Sequence, residues 1–300
     1  MSRTVSFVWV LVAYAVAIAV AWGTEVAMGA YSDDVLVRAG VADVAATFVI
    51  FGFSLVFWNS SMYDAYWSVA PVPIYALFLA QPEAAAGDPV RQALVGIVVL
   101  YWAIRLTLNW ATGWPGMGHE DWRYVRLAKQ TGRLWPLVSL TGVHLFPTVL
   151  VFGGCLAMWP AVTSSEPLGI LDAVAFVVGM LAVTIEAVSD IQLRRFARNR
   201  RDPQEVMRTG LWAWSRHPNY LGEIGFWFGL YLFALATGPQ AAWTGVGVLA
   251  MLLLFVGISI PMMERRMVAK RPGYQDVQRQ IPMLFPWPFR RGADSGAERA

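Results

Sequence analysis

The chain has 300 residues, of which 57% are hydrophobic and only 14% are charged, and its mean hydropathy is +0.49. Soluble domains carry about a quarter charged residues, so this composition excludes an ordinary soluble protein and indicates a surface that mostly faces lipid. The formal net charge is only +3 and the basic residues flank apolar stretches, which argues against a nucleic-acid partner.

Eight stretches are candidates for membrane-spanning helices, which need about 20 mainly apolar residues. In chain order they are residues 5–22, 43–58, 69–80, 90–108, 135–159, 168–188, 221–236 and 241–262. The first, with Arg3 ahead of it, also resembles a signal peptide, but the topology below requires it as a span. The third is short and contains Pro71 and Pro73, so a re-entrant segment is the alternative. The sequence predicts an all-α, polytopic helix bundle with seven or eight spans.

The basic residues predict the orientation of these spans. Nineteen of the 23 Lys and Arg residues occur in segments 109–134 and 189–220 and in the tail after residue 262. The connections predicted for the opposite side contain only Arg38 and Arg91. The positive-inside rule assigns the basic connections to the cytoplasm. Eight spans then place both termini in the cytoplasm, and we expect a multi-pass protein of the inner (plasma) membrane.

Neither a repeat nor a low-complexity linker divides the chain. We interpret residues 1–40 as the first helix with an external loop, residues 41–289 as one membrane domain, and the polar residues 290–300 as a disordered tail. Cys155 lies in an apolar run, which predicts a buried thiol rather than a disulfide. His144 stands alone in the fifth span and is expected to hydrogen-bond between helices.

Polar side chains inside lipid-buried helices cost free energy, so they should face the bundle interior and either pair with one another or take part in function. Tyr101, Arg105 and Asn109 follow one another at steps of four residues and therefore share a helix face. The sixth span carries a second stripe with the same spacing: Glu186, Asp190 and Arg194. A pair between Arg105 and Glu186 that serves only packing is the alternative. These two stripes and a third on the seventh span, all near the cytoplasmic end, favour a site.

The seventh span opens with the polar block 215–223. Pro218 suits the first position of a helix, where its missing N–H has no partner anyway. A helix that begins there presents its free amides and the positive end of its dipole at the cytoplasmic face, where an anion can bind. Asn219 and Glu223 then share one face. Gly222 and Gly225 allow a close approach of another helix.

Familiar nucleotide and metal signatures are missing from the sequence. Gly116 and Gly118 lack the third glycine and the preceding strand of a dinucleotide-binding loop. Three scattered histidines and one cysteine predict that the protein has no metal site. A nucleotide would therefore be held by helix ends and by arginines, whose planar guanidinium grips phosphate with two parallel hydrogen bonds.

The block at 210–223, Gly-Leu-Trp-Ala-Trp-Ser-Arg-His-Pro-Asn-Tyr-Leu-Gly-Glu, resembles the signature of the steroid 5α-reductase and sterol-reductase superfamily. It is most similar to the bacterial branch of that superfamily, the DUF1295 type. Further similar segments follow in the expected order at 64–68, 120–124, 186–192, 263–264 and 273–282. The resemblance covers about residues 41–289. Val277 and Gln280 depart from the usual pattern of the tail.

The resemblance implies a membrane-embedded NADPH-dependent reductase of a C=C bond conjugated to a carbonyl, acting on a steroid-like or other lipophilic enone by hydride transfer to the β-carbon. It implies Asp64 and Tyr101 as catalytic residues, with Trp102 as the alternative to Tyr101. The implied partners are this substrate and membrane lipid, without nucleic acid, and the protein is expected to be a monomer. The residues implied to bind the cofactor are Arg105, Asn109, Arg123, Tyr124, Asp190, Arg194, Leu211, Trp212, Arg216, His217, Asn219, Tyr220, Glu223 and Tyr274.

A different reaction class remains open. Isoprenylcysteine and phospholipid methyltransferases, which use S-adenosylmethionine, also carry an Arg-His-Pro-x-Tyr block before a helix. They usually have paired glutamates after the last span, where this chain has Met263 and Glu264, and Asn219 after the proline is typical of the reductases. A lipid-binding relative without activity is the third possibility, and a broken polar set would indicate it.

Overall fold

The computed structural model describes residues 1–285, and the predicted tail at 290–300 lies outside them. All regular secondary structure in the described part is helical, which confirms the all-α prediction. The helices are α1 (Arg3–Met28), α2 (Val35–Phe57), α3 (Tyr66–Val69), α4 (Pro71–Leu79), α5 (Pro89–Gly113), α6 (Trp122–Thr131), α7 (Trp135–Val138), α8 (Phe146–Cys155), α9 (Met158–Thr163), α10 (Ile170–Asn199), α11 (Pro218–Leu235), α12 (Gly245–Leu254), α13 (Ile260–Lys270) and α14 (Tyr274–Gln280).

Six helical runs within residues 1–285 are long and apolar enough to cross a membrane: Arg3–Met28, Val35–Phe57, Pro89–Gly113, Trp122–Thr163, Ile170–Asn199 and Pro239–Lys270. The predicted third and seventh spans are not among them. The third divides into α3 and α4, and α4 has only nine residues. The seventh corresponds to α11, whose 18 residues include Asn219 and Glu223. The chain is a multi-pass membrane protein, and residues 1–285 contain six candidate spans by length and composition.

The chain forms two compact units. Unit 1 consists of Met1–Val177 and Trp227–Met251, and unit 2 of Val178–Phe226 and Leu252–Ala300. The boundaries fall within α10, α11 and α12. The single membrane domain expected over residues 41–289 stays a prediction.

One end of unit 1 joins the start of α1 to the ends of α2 and α5. The Arg3 guanidinium donates to the carbonyl oxygens of Ala111 (2.7 Å) and Trp114 (3.0 Å). Asn59, just after α2, donates through Nδ2 to the carbonyl oxygens of Met117 and His119, both at 2.9 Å. These helix termini therefore lie together.

The opposite end of unit 1 holds the other termini of the same helices. Arg38 at the start of α2 forms an ion pair with Glu25 near the end of α1, with Nε 3.1 Å from Oε1, and donates to Gln81. Arg91 at the start of α5 forms a buried ion pair with Asp172 of α10. Both basic residues of the connections predicted to be external are thus paired with a carboxylate.

The broken segment α3–α4 runs antiparallel to α5 from one end of unit 1 to the other. The hydroxyls of Ser68 and Thr107 lie 2.9 Å apart, the Tyr75 hydroxyl donates to the carbonyl of Gln92, and the Gln92 amide donates to the carbonyl of Ala84. The segment is divided because proline lacks an N–H and cannot continue the preceding helix. The chain can therefore traverse the unit at this point without one long helix.

Two smaller predictions are confirmed in unit 1. Cys155 is fully buried as a free thiol. His144 lies in a π-helical segment, Ser139–Leu145, and its two ring nitrogens bond the Ser54 hydroxyl at 3.0 Å and the Ser139 carbonyl at 2.8 Å. The buried imidazole is satisfied within the bundle and joins α2 to the helical run Trp122–Thr163.

Candidate functional site

The residues predicted to act on substrate or cofactor divide between the two units. Unit 1 contains Asp64, Tyr101, Arg105, Asn109, Arg123 and Tyr124. Unit 2 contains Asp190, Arg194, Leu211, Trp212, Arg216, His217, Asn219, Tyr220, Glu223 and Tyr274. Each group is described within its own unit.

Asp64 lies at the centre of a polar cluster in unit 1. The buried Tyr124 donates its hydroxyl hydrogen to Asp64 Oδ1 at 2.5 Å. The side chain of Asp121 caps the start of α6 and holds the Arg123 guanidinium at 2.7 Å, and its backbone N–H donates to the Ser61 hydroxyl. Two predicted site residues, Asp64 and Tyr124, are therefore in direct contact, although 60 positions separate them.

The Asp64 carboxyl lies outside the six spans, between α2 and α3. Burial raises the pKa of Asp64 to about 6, and the opposing effects of the Arg123 charge and the Tyr124 hydrogen bond only partly offset this. A carboxyl that titrates near neutral pH can give up and recover a proton under physiological conditions. This is the property expected of a general acid.

The raised pKa of Asp64 predicts that the protein loses stability as the pH rises from about 4 to about 6. In this range the folded protein binds the proton and the unfolded chain, with an ordinary aspartate pKa, does not, so a rise in pH favours unfolding. Thermal unfolding in detergent across pH 4–7 measures this, and we expect Asp64→Asn to flatten the profile. An unchanged slope in the variant would contradict the assignment to Asp64.

Tyr101 and Trp102 are distinguished by their surroundings. Trp102 is fully buried and packs edge-to-face against Trp67 and Trp227, with ring centroids 5.9 and 5.3 Å away. Tyr101 is only partly buried, as are the residues four and eight positions further along α5. Trp102 therefore fills the core of unit 1, and Tyr101 stays the candidate for chemistry.

In unit 2 the segment before the polar block is fastened to α10. The Leu211 N–H donates to the Gln192 side chain at 2.9 Å, and the Trp212 indole donates to the Ser189 carbonyl at 3.1 Å. Gly210 has a φ of +62°, and a Cβ at this position would lie 2.5 Å from Gln192 Oε1. The left-handed backbone favours glycine here, and a Cβ would also displace the Gln192 amide that accepts from Leu211.

Arg216 is committed to contacts within unit 2. Its Nε lies 2.7 Å from Glu264 Oε1, and Nη1 donates to the carbonyls of Gln278 (2.9 Å) and Ile281 (2.7 Å). Its backbone N–H donates to the Pro282 carbonyl. The side chains of Arg216 and Glu264 are each 12% exposed. Arg216, expected from the resemblance to bind the cofactor, therefore anchors the segment after α14 as well.

Glu264 was not predicted as a site residue, although it lies in the similar segment 263–264. It accepts hydrogen bonds from His217 Nε2 at 2.9 Å and Gln278 Nε2 at 2.7 Å, in addition to the arginine. The His217 ring stacks on Tyr220 with centroids 5.5 Å apart. Burial and the nearby Glu264 charge raise the pKa of Tyr274. The sequence signal for Glu264 is its place as a single acid directly before the two arginines at 265–266.

Helix α11 begins at Pro218, as predicted. A Cβ on Gly222 would lie 2.6 Å from the carbonyl oxygen of Ala182, and one on Gly225 would lie 2.9 Å from the Ala182 methyl, which confirms the close packing expected at these glycines. Asn219 Oδ1 is buried and has no hydrogen-bond partner. Buried polar atoms are normally satisfied, so this oxygen can accept a hydrogen bond from a ligand.

The family model described as a protein of unknown function (DUF1295) matches residues 50–281. An uncharacterized protein of Schizosaccharomyces pombe is 26% identical over 261 residues, covering 79% of this chain and 76% of the relative. No solved structure matches. Because the family model covers more than half of the sequence, including both the Asp64 cluster and the α11 start, the chain belongs to the DUF1295 family.

Proposed function

We propose that the protein is a membrane-embedded reductase that uses NADPH to reduce a C=C bond conjugated to a carbonyl in a lipophilic, steroid-like or other enone substrate. The proposal includes a cytoplasmic location for the basic connections and for both termini. Arg38 and Arg91 support this orientation, because carboxylates neutralise both and leave the net positive charge to the other connections.

The observation that carries the proposal is the buried, unpaired Oδ1 of Asn219 at the start of α11. An acceptor in this position fits a ribose hydroxyl or the carboxamide N–H of a nicotinamide nucleotide. Partly exposed Arg194 and exposed Arg195 and Arg198 at the end of α10 supply positive charge for phosphate groups. NADPH, when bound, supplies the hydride. We propose NADPH rather than NADH because its additional phosphate suits a site rich in arginine.

The remaining residues are assigned roles by their contacts. Asp64, hydrogen-bonded to Tyr124, holds the proton that the reduced substrate needs. Tyr101 is proposed as the hydrogen-bond donor to the substrate carbonyl, because such a donor stabilises developing negative charge more strongly in a dry site than in water. Arg216 and His217 act by positioning: through Glu264 they hold the polar block in place.

The proposal predicts that the purified full-length protein binds NADPH with micromolar or better affinity, and that Asn219→Ala weakens binding about tenfold, since one buried hydrogen bond to the ligand is lost. Fluorescence titration in detergent measures both constants. Asn199→Ala, at the exposed end of α10, is the matched control and should bind as the wild type does.

The same titration with S-adenosylmethionine tests the methyltransferase alternative. Tight binding of S-adenosylmethionine without binding of NADPH would overturn the proposed reaction in favour of methyl transfer. Binding of neither nucleotide would favour a lipid-binding protein without this activity.

A further inference from the structure

A cavity of about 440 Å³ lies inside unit 1 between α1, α2 and the α3–α4 segment. Small side chains on all three elements make the space: Ala21, Ala39, Ala42, Ala46, Ala70, Ala76 and Ala80. Ile18 and Trp22 of α1 also line the cavity, and they are 42% and 72% exposed on the surface of a membrane-spanning helix. A molecule dissolved in the bilayer can therefore enter from the side.

Five side chains of the wall carry a carboxyl, amide or phenol group, and in four of them no buried oxygen or nitrogen lacks a hydrogen-bond partner. The Tyr14 hydroxyl donates to the Met62 carbonyl at 2.7 Å, and the Tyr66 hydroxyl donates to Asp43 Oδ1 at 3.3 Å. At the other end, Glu25 pairs with Arg38 and Gln81 bonds both Arg38 and the Leu77 carbonyl. These groups need nothing from a ligand.

Asp43 is the exception. It is 5% exposed and lines the cavity, and its Oδ2 has no hydrogen-bond partner. A carboxyl inside a membrane-spanning helix is costly and usually marks a function, and an unsatisfied buried oxygen adds to the cost. The neighbours within unit 1 supply only the single hydroxyl of Tyr66. The second oxygen is therefore available to a polar group of a bound molecule.

We propose that this cavity binds a lipophilic alcohol, with its hydroxyl on Asp43 Oδ2 and its apolar body among the alanines. A hydroxyl suits Asp43 best because it can donate to a carboxylate and can also accept from a carboxylic acid. An ammonium group would require Asp43 to be ionised and would have to be stripped of water in an apolar wall. The volume is near the lower end of the range for small-molecule sites, so the cavity takes one compact or single-chain molecule rather than a two-chain phospholipid.

This site is separate from the proposed nucleotide site, because all its residues belong to unit 1 and none is assigned a part in the proposed reduction. Failure of NADPH binding would leave it intact, and failure of alcohol binding would leave the reductase proposal intact.

Photolabelling of the full-length protein tests the site. The protein is placed in phosphatidylcholine nanodiscs, which offer no lipid hydroxyl, and is exposed to a C16 alcohol that carries a mid-chain diazirine. Mass spectrometry should find the label on α1, α2 and α4, and excess 1-hexadecanol should reduce it at least fivefold. The matching diazirine hydrocarbon without the hydroxyl should label these helices at least fivefold less.

Two variants test the two parts of the site. Asp43→Ala removes the polar contact and Ala46→Leu fills the space, and each should lower labelling of these helices at least fivefold. Asp33→Asn changes an exposed aspartate before α2 and is the control. Monodisperse elution on size exclusion shows which variants are folded. If Asp43→Ala does not fold, Asp43→Asn and the hydrocarbon probe test the same contact.

Three results would overturn the inference. Equal labelling by the alcohol and the hydrocarbon would mean that Asp43 does not select a hydroxyl. Labelling spread evenly over all lipid-facing helices, unchanged in Ala46→Leu, would mean that the cavity is not occupied. Loss of labelling when phosphatidylglycerol replaces phosphatidylcholine would mean that a phospholipid headgroup, rather than a membrane-dissolved alcohol, is the occupant.

Discussion

Arg91→Met is expected to destabilise unit 1 by about 3–5 kcal/mol, which is typical when one partner of a buried ion pair is removed. Arg91 is fully buried, and its Nε and Nη2 lie 2.6 and 3.1 Å from the two oxygens of Asp172. It also donates to the Glu166 carbonyl at 2.9 Å. Without Arg91, the Asp172 carboxylate stays buried with only the Gly169 N–H as a donor.

The measurement is the unfolding midpoint in detergent, followed by denaturant titration if unfolding is reversible. The double variant Arg91→Met, Asp172→Leu should recover a large part of the loss, because no unpaired charge then remains in the core. If the single and double variants were equally unstable, lost packing rather than the unpaired charge would be the cause, and the ion-pair explanation would fail.

Glu264→Ala is expected to destabilise unit 2 by about 3 kcal/mol and to abolish nucleotide binding. The carboxylate is shared by Arg216, His217 and Gln278, and its side chain is only 12% exposed. Its removal leaves the Arg216 guanidinium without a counter-charge in a mostly buried environment. The polar block before α11 then loses the contacts of Arg216 and His217 with α13, and Asn219 is held less firmly in place.

A stability readout and a binding readout separate the two effects of Glu264. Glu264→Gln keeps an acceptor but loses the charge, so it should retain part of the stability and bind NADPH weakly. Asp276→Ala removes an ion pair whose side chains are 74% and 51% exposed, and exposed pairs contribute little, so this control should match the wild type in both assays. Normal NADPH binding by a folded Glu264→Ala protein would show that Glu264 does not position the site.

Several structural features were predictable from the sequence because their signals are local. The start of α11 follows from Pro218 and the polar block around it, and the close helix packing follows from Gly222 and Gly225. The buried and bonded state of His144 follows from its isolation within an apolar span, since an unpaired imidazole in lipid is costly. In each case the deciding residues are neighbours in the chain or on one helix face.

The roles of several charged residues could not be predicted, because their partners are distant in the chain. Arg216 was expected from the resemblance to bind the cofactor, and its ion-pair partner Glu264, 48 positions later, was not predicted. Arg91 was counted as a basic residue of an external connection, yet Asp172, 81 positions later, neutralises it. A guanidinium binds whichever carboxylate or carbonyl the fold brings close, and single-sequence patterns do not report that distance.

The sequence by itself determined that most of the surface faces lipid, that the fold is all-helical and where the polar block lies. It could do so because hydropathy, helical periodicity and proline act within a few residues. Only the tertiary structure decided how the α3–α4 segment runs along α5 and which charged groups pair. It alone revealed the cavity beside Asp43, because that space depends on small side chains from three separate elements meeting at one place. Such a meeting of distant residues leaves no periodic pattern in the sequence.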